Sequence, residues 1–144
     1  MKKSRVLFVC THNSARSQMA EALLNHLGGD RFVAESAGLE PAPVNPLVVE
    51  VMKEAGFDIS RQQSDSIFQF FKEGRIYSYV IYVCSKEDED KCPVFPGVRK
   101  TLHWPFPDPA KLSGSREEKR RGTREIRDAI LSRIEAWLED NIER

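Results

Sequence analysis

The chain has 144 residues, enough for one domain that buries about two thirds of its unfolded surface. Basic and acidic residues number 22 each, so no global field selects nucleic acid or another polyanion, and any anion preference must be local. No apolar run approaches membrane-spanning length, and the stretch after the basic Met1 to Arg5 is too short for a signal-peptide core. Three cysteines cannot form a fully paired secreted framework, so a cytoplasmic, reducing setting is expected, where leftover thiols more often mean chemistry than staples.

Arg5 to Val9 reads as a buried central parallel strand. From Ser17, the residues Met19, Leu23 and Leu27, with Ala20 and Leu24 beside them, recur at helical spacing until Gly28-Gly29 stops the helix. Phe32 to Ser36 predicts a second strand ended by Ala37-Gly38, and Pro41, Pro43 and Pro46 mark a loop. Asn45 as N-cap and Pro46 at the first helical position open a second helix through Leu47, Val48, Val51 and Met52 to Gly56. Asp58 to Ser64 looks irregular, and Ser66 to Phe71 forms a short helix ending at Gly74. Tyr79 to Val83 is another buried-strand pattern and, like the first, ends in Val-Cys. The charged run Ser85 to Lys91 reads as a solvated loop, and Val98 to His103 as a last strand. Trp104 to Pro109, with three prolines, is a stiff loop presenting Asp108. The final helix starts at Ser115, in capping-box relation to Glu118, and runs to about Glu139 with Ile126, Ile130, Ile134, Trp137 and Leu138 on one face. Strands alternating with helices predict an α/β fold, one domain over residues 1–144 with an open parallel sheet flanked by helices.

The chemistry concentrates in Cys10-Thr11-His12-Asn13-Ser14-Ala15-Arg16-Ser17, between the first strand and the first helix. A cysteine and an arginine with five residues between them let the intervening backbone wrap a tetrahedral oxyanion, with amides aimed inward and a helix N-terminus behind. Arg16 would grip two of its oxygens, and the same positive potential favours the thiolate of Cys10. Within the loop, His12 contributes its backbone amide more than its ring. If the Val-Cys strands are parallel neighbours, Cys10 and Cys84 share the carboxyl edge of the sheet, where such folds bind ligands. Asp108 could serve as general acid for a departing oxygen, or simply start a turn.

Cys84 and Cys92 have seven residues between them, so a disulfide requires the charged segment to fold back or loop out. The competing use of these thiols, zinc held by Cys84, Cys92 and His103, matches no compact ligand spacing. His26 and His103 read as surface or packing residues.

The loop from Cys10 to Ser17, Glu35-Ser36-Ala37-Gly38, Cys84, Cys92-Pro93, and His103-Trp104 leading to Asp108-Pro109-Ala110 together resemble the low-molecular-weight tyrosine phosphatase fold and, within it, the thioredoxin-coupled arsenate reductases. The resemblance covers almost the whole chain. It implies a relay in which Cys10 attacks arsenate held by Arg16 and the loop amides, with Ser17 stabilising the thiolate and Asp108 assisting loss of an oxygen. Cys84 then attacks Cys10 to release arsenite, and Cys92 attacks Cys84 to leave a disulfide for thioredoxin. The implied role is arsenic detoxification by a monomer, without a bound redox cofactor and without nucleic-acid or membrane partners. A potassium ion behind the loop is implied at Asn13, Glu21, Ser36 and Asp65. His12 stands where the family usually has glycine, Ala15 where many relatives have a second loop cysteine, and the Cys84 to Cys92 spacing is one residue longer than in the best-known reductases. Two alternatives stay open: phosphate-monoester hydrolysis through a Cys10 phosphocysteine, and a non-catalytic oxyanion-binding or redox-sensing module.

Overall fold

The computed structural model describes residues 2–141; Met1 and residues 142–144, the ends of the expected single domain, lie outside the described residues. Four strands, β1 (Ser4–Cys10), β2 (Phe32–Gly38), β3 (Tyr79–Tyr82) and β4 (Lys100–His103), form one sheet in the order β2-β1-β3-β4, with every pairing parallel. β1 is central, and Val6, Leu7, Phe8 and Val9 are fully buried, as an uninterrupted apolar strand covered on both faces must be.

Helices α1 (Arg16–Leu27), α2 (Pro46–Glu54), α3 (Ile67–Lys72) and α4 (Lys86–Glu89) fill the connections, α5 (Arg116–Asp140) follows the last strand, and α1 packs on both α5 and β2. The expected caps form. Asn45 accepts from the Leu47 amide with Pro46 in the first turn, and Ser115 and Glu118 make a reciprocal capping box. Along α5, Thr123, Ile126, Ile130 and Ile134 are buried at a helical period, and Trp137 continues that stripe onto Phe32, Tyr79 and Trp104.

Three expectations need correction. The charged run after Cys84 is not a solvated loop: Ser85 caps α4 by accepting from the Asp88 amide, and Glu87, Asp88 and Glu89 all sit in its first turn, where negative charge complements the helix dipole. β4 starts at Lys100 rather than Val98, because Gly97 turns the chain with φ +76° just before it. Leu27, placed by its spacing on the buried stripe of α1, is 37% exposed at the end of the helix.

Candidate active site

β1 ends at Cys10 and α1 begins at Arg16, so the five residues between them must turn the chain from strand to helix. Asn13 carries the tightest part of that turn, with φ +51°, a conformation asparagine tolerates better than most residues. The carbonyls of Thr11, His12 and Ser14 accept from the amides of Glu40, Ala42 and Asn45 at 2.8–2.9 Å, and that of Asn13 accepts from Gln18 and Ser64. All four carbonyls are therefore held away from the loop centre. In a trans peptide the next N–H points opposite to the carbonyl, so the amides of His12, Asn13, Ser14 and Ala15 turn inward. That of Asn13 donates to Cys10 Sγ at 3.1 Å.

The helix behind the loop is open to an anion. Ala15, at its N-cap, offers no side-chain cap, and no acidic residue occupies the first turn although Arg16, Ser17 and Gln18 are buried. A buried helix N-terminus with unpaired donors is an anion site. Arg16, only 7% exposed, leaves its Nε without a partner, while its terminal nitrogens reach the Phe106 carbonyl at 3.2 Å and Asp108 at 3.7 Å. A buried guanidinium N–H without a partner, beside a helix N-terminus with free donors, is suited to hold an oxyanion. A cleft of about 950 Å³ lies elsewhere, with Tyr79, Lys100 and Trp137 in its lining.

Cys10 lies at the centre of this arrangement, with its sulfur 2.7 Å from Ser17 Oγ. Asp108 is held opposite Arg16 by the Pro-rich loop, and its other oxygen accepts from the Ala110 amide at 2.9 Å, so the turn reading and the position over the site are both realised. The His12 ring turns away, to the Glu40 carbonyl, and contributes only backbone.

Cys84 follows β3 on the same edge: Val9 pairs with Tyr82, and the Val83 amide donates to the Val9 carbonyl at 2.9 Å. Burial, reinforced by the nearby Cys92 and Cys10 sulfurs, pushes its thiol up to about 12, with Arg16 acting weakly in the other direction. Cys92 is half-buried, its Sγ lies 3.6 Å from the Asp88 carbonyl, and burial with Asp88 and Glu89 nearby also pushes its thiol up to about 12. The turns from Ser85 onward keep a helical course to Cys92, whose amide donates to the Glu89 carbonyl. A helical path from Ser85 to Cys92 spans roughly 10 Å. A disulfide needs Cα atoms about 4.4–6.8 Å apart, so α4 must open before Cys84 and Cys92 can pair.

Asn13, Glu21, Ser36 and Asp65 are brought together behind the loop. Asn13 Nδ2 donates to Ser17 and Ser36, Ser36 donates to Glu21, and the Asp65 amide donates to Asn13 Oδ1. These bonds brace the loop by themselves. Burial, with Asp65 and Glu35 nearby, pushes the Glu21 carboxyl up to about 7, and Asp65 is raised by burial too; these oxygen-bearing side chains are the ones that could hold a hard cation. Among the described residues no cluster of three or more histidine, cysteine or acidic side chains suits a metal, which removes the zinc reading of Cys84, Cys92 and His103.

The roles of four residues escaped the sequence. Gln18, fully buried, and Ser64 hold the Asn13 carbonyl outward. Asp88 accepts from the Thr11 hydroxyl and thereby ties α4 to the loop. Gly38 lies so near the loop that a Cβ there would meet the Asn13 nitrogen at 2.7 Å. The pattern Ser85-x-x-Asp88 was the one available sign of α4.

The sequence profile of the low molecular weight phosphotyrosine protein phosphatase family matches residues 5–144. The chain is 42% identical over 139 residues to an arsenate reductase of Halalkalibacterium halodurans, covering 96% of this chain and 98% of that protein. Among solved structures it is similar to an arsenate reductase in the phosphate-binding state, at 32% identity and TM-score 0.76, covering 95% and 98% of the two chains. It is also similar to a thioredoxin-dependent arsenate reductase of Corynebacterium glutamicum, at 32% identity and TM-score 0.74, covering 99% of this chain and 64% of that one.

Proposed function

The chain belongs to the low molecular weight phosphotyrosine protein phosphatase family, and from that footing we propose that it is an enzyme reducing arsenate to arsenite through Cys10, Cys84 and Cys92. The observation that carries this reading is the second cysteine: Cys84 is buried on the same sheet edge as the Cys10 cradle, with Cys92 one short helix away. A phosphatase needs neither.

Arsenate, a tetrahedral oxyanion, binds to the inward amides of residues 12–15 and to Arg16. The Cys10 thiolate attacks arsenic, and Asp108 delivers a proton to the departing oxygen, which leaves as water. Cys84 then attacks Cys10 Sγ. The S–As bond breaks with its electron pair on arsenic, arsenic(V) becomes arsenic(III), and arsenite leaves with a Cys10–Cys84 disulfide behind it. Attack of Cys92 on Cys84 frees Cys10 and leaves Cys84–Cys92, which a dithiol reductant of the thioredoxin class returns to two thiols. The electrons come from thiols throughout, so the relay requires no bound redox cofactor. Asn13, Glu21, Ser36 and Asp65 would hold a potassium ion, whose charge supports the loop from behind.

Hydrolysis of phosphate monoesters, the second reading, is favoured by Cys10, Arg16 and Asp108 alone. The Cys84→Ser variant separates the two. Arsenite release with thioredoxin, thioredoxin reductase and NADPH is expected to vanish, while hydrolysis of an aryl phosphate persists. Arsenate turnover that survives the substitution would overturn the relay, and oxyanion binding without turnover under any reductant would leave only the binding-module reading.

A further inference from the structure

α4 has only four residues, all charged, yet it is tied to the fold at two places. Asp88 accepts from Thr11 in the cradle, and Glu89 Oε1 lies 2.6 Å from Nδ1 of His103 on the edge strand β4. Glu89 is unusual for an acidic residue in such a helix, because its side chain is only 9% exposed. The His103 ring lies parallel to Tyr82, the residue two before Cys84, with centroids 6.0 Å apart, so its orientation is set by the strand that carries the second cysteine. Lys86 also reaches Glu89, at 3.1 Å, but is 75% exposed. His103, 55% exposed but stacked on Tyr82, is therefore the partner held by the sheet, and Lys86 the more solvated one.

We propose that His103 is a positioning residue of the thiol relay: through Glu89 it clamps α4 in the helical form that keeps Cys92 away from Cys84. The inference rests on the relay reading above. Because the two thiols cannot bridge until α4 opens, the His103–Glu89 contact belongs to the reduced, closed state and is absent from the disulfide state. A contact made in one state only shifts the equilibrium between them. The clamp thus delays formation of the Cys84–Cys92 disulfide until Cys84 has been consumed by Cys10. It also favours reduction afterwards, when α4 reforms.

The test is a redox titration in buffers of reduced and oxidised dithiothreitol, where the two thiols give up two electrons and two protons to the oxidised reagent. It uses the Cys10→Ser background, so that Cys84 and Cys92 can pair only with each other. His103→Gln and Glu89→Gln are each expected to make the pair easier to oxidise by about three- to tenfold, a move of roughly 15 to 30 mV to more negative potential. The double variant should add little to either single one. A potential that stays unmoved in both variants, or a matching loss of thermal stability in the reduced and oxidised forms, overturns the clamp and reduces His103 to a packing residue. A parallel measurement on the unaltered chain distinguishes this failure from failure of the relay. After one turnover with arsenate and no reductant, peptide mass analysis should find Cys84 joined to Cys92. Its absence overturns the relay and the clamp with it, whereas its presence beside unmoved potentials overturns the clamp alone.

Discussion

Gly38→Ala should disable the cradle while leaving the sheet standing. An ideal Cβ at this position would meet the Asn13 nitrogen at 2.7 Å, the Thr11 carbonyl at 2.9 Å and the His12 carbonyl carbon at 3.0 Å. All three are backbone atoms, so no side chain can swing aside. Ordinary contact begins at 3.4 Å, which leaves the loop about 0.7 Å to move, against carbonyls anchored to Glu40 and Ala42. Overpacking of this kind costs about 1–3 kcal/mol. The greater effect is on function, because the displaced Asn13 amide is the one that donates to Cys10 Sγ, and a misplacement approaching 1 Å can reduce turnover about 100-fold. Phosphate affinity by calorimetry should fall about tenfold and arsenite release by about two orders of magnitude, with the circular dichroism spectrum of the sheet and helices retained. A Gly38→Ala variant that folds, binds phosphate as tightly as the unaltered chain and keeps its turnover would refute the geometry assigned to the loop.

Three further outcomes are expected. Arg16→Lys removes the forked donor and its unpaired Nε, and should weaken oxyanion binding by about 30-fold, equivalent to about 2 kcal/mol, in the same calorimetric assay. Because burial raises the Cys84 thiol to about 12, its thiolate is scarce at neutral pH and grows with pH; single-turnover arsenite release should therefore accelerate by up to about tenfold per unit between pH 6.5 and 8.5, and a flat profile in rapid-quench experiments would contradict this. Replacing choline chloride by potassium chloride at constant ionic strength should raise the melting temperature by about 3 °C, and the rise should disappear in Glu21→Ala.

What the sequence displayed well was whatever is written in consecutive residues. The strand, Cys10, the small polar turn, Arg16 and the helix follow one another in the chain, so the anion cradle and the α/β alternation could be read directly, as could the caps at Asn45 and Ser115. What stayed hidden depends on packing between distant segments. Gly38 is 25 residues from Asn13, and nothing near it in sequence announces that the loop passes within reach of its missing side chain. The run of charges after Cys84 suggested solvent because charge usually does. That reading failed because the helix dipole and the Ser85 cap favour a turn, and because Thr11 and His103 supply partners that no local pattern shows.

The bond from Thr11 to Asp88 joins two things otherwise separate, the pocket that receives the oxyanion and the segment that must open for the thiols to pair. Linkage is reciprocal: by whatever factor the opening of α4 alters affinity for an oxyanion, the oxyanion must alter the oxidation equilibrium of Cys84 and Cys92 by the same factor. Inorganic phosphate, a tetrahedral anion of like shape, would then act as more than a competitor for the cradle. Its concentration would help set the redox poise of the pair, and a change in thiol oxidation would in turn change how much phosphate the cradle retains.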